Sequence, residues 1–159
     1  MPGDEMNQYE LRVATQEFLQ TTSWERSIAC TLTLQQRVDN QKIDTKIASR
    51  NFRHFLNRLN RKLYGNATDR YSKQIRVIPV IEHDEFHRFH IHLQIELPSD
   101  WEYEAFTMLI RSQWEKTRWA YHHIHFELVR DRGWISYLTK PNQKRDFDIS
   151  IDWMNCKLT

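Results

Sequence analysis

Four stretches of the chain alternate apolar and polar residues with a period of two, the pattern of a β-strand with one covered face. In the cleanest, Phe89, Ile91, Leu93, Ile95 and Leu97 alternate with His90, His92, Gln94 and Glu96. Residues 27–35 repeat it, with Ile28, Cys30, Leu32 and Leu34 on one side and Thr31, Thr33 and Gln35 on the other, and so do residues 119–129 and 147–153. Residues 75–82 hold Val77, Ile78, Val80 and Ile81 and predict a further strand. Pro79 within it lacks a ladder donor, which predicts an edge position or a bulge. Residues 75–97 then fold as an antiparallel hairpin around a polar loop.

A period near 3.6 marks the helices. Leu11, Val13, Ala14, Phe18 and Leu19 predict a short amphipathic helix over residues 7–20, and Ile47, Ala48, Phe52, Phe55, Leu56, Leu59 and Leu63 a longer one over residues 44–64. Gly65-Asn66 suits its end, because both residues tolerate positive φ. Ser99 and Glu102 have capping-box spacing ahead of Phe106, Leu109, Ile110 and Gln113, which predicts a third helix ending near Arg118. Asp131 is the expected cap of a short fourth helix predicted over residues 134–140, stopped by Pro141.

These elements predict an α+β fold: an antiparallel sheet of about five strands, helices mainly on one face, and an RRM-like palm whose other face is open. The open face would carry Thr31, Thr33, Glu82, His90, His92 and Gln94. At 159 residues the chain predicts one domain, with residues 1–23 as a helical extension and 24–159 as the core.

Neighbouring same-side histidines on a strand can close on one metal ion. Glu82 has the parity of His90 and His92 and would face one of them across the hairpin. Two imidazoles and a carboxylate with open coordination positions suit a divalent ion acting as a Lewis acid on a phosphate oxygen. Tyr137 and Lys140, three residues apart, share a helical face, where an ammonium lowers the cost of a phenolate or holds a phosphate beside it. Histidine pairs are not specific alone: His123-Ile124-His125 repeats the pattern.

His90-Ile91-His92, preceded by Glu82 and the strand Cys30-Thr31-Leu32-Thr33-Leu34 and followed by Tyr137-Leu138-Thr139-Lys140, resembles the HUH endonucleases, specifically single-tyrosine rolling-circle replication initiators (Rep proteins). The three motifs stand in the family's order and span residues 27–140. The resemblance implies a sequence-specific nicking and joining enzyme for single-stranded DNA, acting at an origin hairpin or nick site. It implies Mg²⁺ or Mn²⁺ on His90, His92 and Glu82, with Tyr137 as nucleophile through a 5′-phosphotyrosine and Lys140 beside it. Gln94 would support the ligands from behind. Thr31, Thr33, Arg50, Arg53, His123, His125 and Trp134 are candidate DNA contacts. No phosphate-binding glycine loop of a helicase follows, so either this is an isolated nuclease domain or unwinding belongs to a separate helicase.

Composition narrows the field without naming a substrate. A formal charge of +2 is too mild to demand a polyanionic partner, and the aromatic share of 13% serves a core or base stacking equally well. Cys30 and Cys156 form no disulfide framework. Residues 1–5 lack a signal-like segment and no apolar run spans a membrane, so the expectation is a cytoplasmic protein, bacterial or at another intracellular site of replicon copying, with no membrane partner. The rivals are a transposase or relaxase of the same chemistry, although relaxases carry a third histidine and an early tyrosine, and a non-catalytic RRM-like nucleic-acid-binding module.

Overall fold

The computed structural model describes residues 8–83, 88–130 and 148–159. Its centre is a five-stranded antiparallel sheet in the order β6-β1-β5-β4-β7, formed by β1 (Ser27–Leu34), β4 (Val77–His83), β5 (His90–Glu96), β6 (Ala120–Leu128) and the short edge strand β7 (Asp148–Ile151). A two-stranded ribbon of β2 (Arg37–Val38) and β3 (Gln41–Lys42) follows β1. The helices are α1 (Gln8–Gln20), α2 (Thr45–Tyr64), the short α3 (Ala67–Tyr71) and α4 (Tyr103–Glu115). The unit β1-α2-β4-β5-α4-β6 is a βαββαβ array with β1 and β5 at its middle. The α+β, RRM-like palm expected from the alternation is therefore present.

The core lies between the sheet and α2 and α4. Ile28, Cys30, Leu32 and Leu34 of β1 and Ile91, Leu93 and Ile95 of β5 are buried there with Phe52, Phe55, Phe106 and Trp114. Phe55 meets Trp114 edge to face, their rings 5.6 Å apart. Two buried asparagines tie loops to this layer: Asn51 accepts from the Trp119 amide and donates to Thr117 Oγ1, and Asn60 accepts from the Ile75 amide. Asp44 caps α2 by accepting from the Ile47 amide at 2.7 Å, and Gly65 ends it at φ +55°, a left-handed angle that favours glycine.

Three local expectations change. β4 is interior, not an edge strand, because β7 pairs with its far end. Pro79 is tolerated because that ladder stops at Val80; its carbonyl accepts from the Asp152 amide, so the side without a donor faces beyond the end of β7. Ser99 makes no capping box: α4 starts at Tyr103 after Glu102, which gives no side-chain cap bond, and it ends at Glu115, short of Arg118. The open face is also not bare. Leu19 of α1 is buried against Ile78 on that side, with Trp24, Ile151, Cys156 and Leu158 around them. Gln94 and Thr33 are buried as a result of their position on the central strands.

Candidate metal and nucleic-acid face

Register decides which polar side chains meet. Antiparallel pairing sets Thr31 opposite His92 and Thr33 opposite His90 between β1 and β5, and Glu82 opposite His90 between β4 and β5. All five therefore point to the face away from α2 and α4. The predicted parity of Glu82 is met, with a refinement: its Oε2 reaches diagonally to His92 Nε2, 3.0 Å away. On the other side of the ring, Thr31 Oγ1 lies 3.1 Å from His92 Nδ1. In the neutral imidazole, Nε2–H donates to the carboxylate and the Thr31 hydroxyl donates to Nδ1. His92 is thus held at both nitrogens by two different strands. The His90 ring stacks beside it, centroids 6.1 Å apart at 26°.

His92 and Glu82 suit a divalent ion as a pair. Two neighbouring ligands of an octahedral ion with bonds of about 2.1 Å stand about 3.0 Å apart, and the His92–Glu82 separation has that value. Imidazole nitrogen with carboxylate oxygen is a donor set that Mn²⁺ accepts readily and Mg²⁺ accepts through the oxygen. Among the described residues no three histidine, cysteine or acidic side chains form a ready-made metal cluster. Cys30 is not a hidden nucleophile, because burial in the opposite layer pushes its thiol well above the usual range.

The second histidine pair lies on the same face, across β1. His125 is opposite Thr31, and its Nε2 bonds Glu127 Oε1 at 3.0 Å, both side chains largely exposed. The β1–β6 register shifts between Leu32 and Leu34, and this irregularity breaks the alternation assumed for β6. His122, which strict alternation assigns to the apolar side with Ile124, lines with Ile124 a groove shared by His123, His125, His90, Thr31 and Thr33. Arg111 of α4 also lines it, its Nη1 3.5 Å from the His122 carbonyl. Arg88 lays its guanidinium 4.2 Å from the Tyr121 ring centre. His122 and Arg111 are additions that sequence pattern did not flag: a bulge leaves no mark in the alternation, and Arg111 reads as one exposed helix charge among several.

The remaining candidates divide. Gln94 does not brace the histidines; its Nε2 donates to Ser27 Oγ at 2.9 Å. Arg50 and Arg53 are exposed on α2, in the helix layer that covers the other face, and so do not join this site. Tyr137, Lys140 and Trp134 lie outside the described residues.

A family model described as replication-associated protein ORF2/G2P matches residues 27–146. Neither a curated protein nor a solved structure shows a significant match. The matched span covers the sheet strands β1, β4, β5 and β6, stops short of β7, and includes both histidine pairs and Tyr137.

Proposed function

The chain belongs to the replication-associated protein ORF2/G2P family, and from that premise we propose that it initiates DNA replication by nicking and rejoining a single strand of DNA. The observation that carries this reading is the cross-strand clamp on His92, with Glu82 3.0 Å from one ring nitrogen and Thr31 3.1 Å from the other. A protein that only stacked bases on its sheet would place aromatic rings on the two central strands. Here β1 and β5 present threonines and histidines instead.

His90, His92 and Glu82 would hold Mg²⁺ or Mn²⁺, which supplies Lewis-acid polarisation of the scissile phosphate. The chain's own residues do the rest. Thr31 fixes the plane of the His92 ring at Nδ1, leaving Nε2 and Glu82 to turn to the ion, so the imidazole need not be ordered when DNA arrives. The Tyr137 phenolate oxygen attacks the phosphorus, the bond from phosphorus to the 3′ oxygen breaks, and that oxygen leaves as a 3′-hydroxyl after taking a proton. The 5′ end stays on Tyr137 as a phosphodiester, and attack by an incoming 3′-hydroxyl reverses the step. Lys140 lowers the cost of the phenolate or steadies the phosphate.

Incubating the protein with a pool of single-stranded oligonucleotides and Mn²⁺ tests this. An SDS-stable protein–DNA adduct is expected, and Tyr137→Phe or EDTA should abolish it. An adduct that persists in Tyr137→Phe refutes the nucleophile, and its absence with the wild-type protein across the pool favours a binding module.

A further inference from the structure

A cavity of about 250 Å³ opens between the end of α1 and the sheet, lined by Trp24, Arg26, Ser27, Gln94, Val129 and Arg130. Two of its polar groups are unsatisfied. Gln94 is 4% exposed, and its Oε1 is buried with no hydrogen-bond partner, while its Nε2 is engaged by Ser27 Oγ. Trp24 Nε1 is likewise buried without a partner. A buried amide oxygen and an indole N–H left unpaired are costly, and such orphans in a cavity point to a ligand that completes them.

The cavity wall is built in advance. Arg76 donates through Nη1 to the Ser23 carbonyl at 2.7 Å and places its guanidinium 5.2 Å from the Trp24 ring centre, which fixes the indole. Arg26 is spent on structure, donating through Nη2 to the carbonyls of Pro98 and Trp101. Arg130 is exposed at the rim, where it adds positive charge. The volume lies below the ~300–1,000 Å³ typical of drug-sized ligands, which suits one small planar group. That group must offer a donor to Gln94 Oε1 and an acceptor to Trp24 Nε1, and the edge of a nucleobase does both.

We propose that this cavity holds one unpaired nucleobase of the DNA strand and reads its edge through Gln94 and Trp24. Gln94 follows His92 by two residues on β5, on the same face, so the cavity starts about 7 Å along the strand from the proposed phosphate site. A nucleotide close to the scissile phosphate therefore reaches it. The inference rests on the single-stranded DNA reading above and adds a source of sequence preference to it.

The test is selection from a random pool of single-stranded oligonucleotides in EDTA, where binding proceeds without cleavage, comparing wild type, Gln94→Met and Trp24→Phe. Wild type should enrich one base at one position by about tenfold, and each variant should lose that preference there while keeping the others. If Gln94→Met fails to fold, Trp24→Phe alone decides. Variants that keep the full wild-type preference, or lose it equally at every position, overturn the pocket and leave the DNA reading standing. A wild-type protein that enriches no oligonucleotide overturns both.

Discussion

The same face of the sheet carries two His-x-His pairs with opposite surroundings. His90 and His92 stand on β5, flanked by β1 and β4; His123 and His125 stand on β6, which among the described residues pairs only with β1. His92 is 19% exposed and bonded by residues from both flanking strands, whereas His125 is 69% exposed and bonded by Glu127 from its own strand. The difference shows that the motif alone does not make a site. A histidine on the central strand gains bonds from both flanking strands, one of them to a carboxylate, while one on the outer strand is bonded from within its own strand. The outer pair suits adaptable contact with a polyanion, and the inner pair suits coordination.

This contrast can be broken most forcefully by mutation of one histidine from each pair. His92→Ala should lower the cleavage rate by about a thousandfold, whereas His125→Ala should stay within about threefold, because it removes only an exposed pair worth little. A reversed ranking would move the site to β6. Thr31→Val keeps the shape and removes the hydroxyl at His92 Nδ1; a loss of about tenfold in activity or metal affinity is expected, measured by titrating Mn²⁺ against the cleavage rate. No change would mean that the ring is ordered without Thr31.

The smallest effect concerns the end of the face that carries neither pair. Cys156 packs there with Leu19 and Ile78, and burial, with a contribution from the Asp152 carboxylate, pushes its thiol up to about 11. Since this is above the ordinary 9.0, the native state favours the protonated thiol. The contribution is complete below about pH 9 and is lost as pH rises through about 11. Denaturation midpoints measured across that range should fall less steeply in Cys156→Ser than in wild type. Equal slopes would show that the thiol is not coupled to folding.

Much of this was legible in the sequence because strand parity is binary. Alternation in residues 89–97 and 27–35 places His90, His92, Thr31 and Thr33 on one face, and Glu82 follows once the hairpin is antiparallel. The extent of α2 was legible from apolar spacing and its end from Gly65, whereas the Asp44 cap was not singled out. Other features depend on contacts between distant segments. The β6 irregularity that brings His122 into the groove arises in its pairing with β1, and no local residue announces it. The burial of Gln94 reflects neighbours from β1, and α1 buries Leu19 on the open face, although its spacing looked like that of any amphipathic helix. Ser99 and Glu102 had the capping spacing but not the backbone, because the chain first turns through a Trp101 amide to Pro98 carbonyl bond.

The central claim is that the inner pair, with Glu82, holds the divalent ion. Adding Mn²⁺ in small steps to protein with isotope-labelled histidines tests it directly, since the paramagnetic ion broadens the imidazole signals nearest to it. The account requires His90 and His92 to broaden first, with the effect weakened in Glu82→Gln and the signals of His123 and His125 affected only at higher concentration. Broadening that begins at His123 and His125, or that is indifferent to Glu82→Gln, would contradict it.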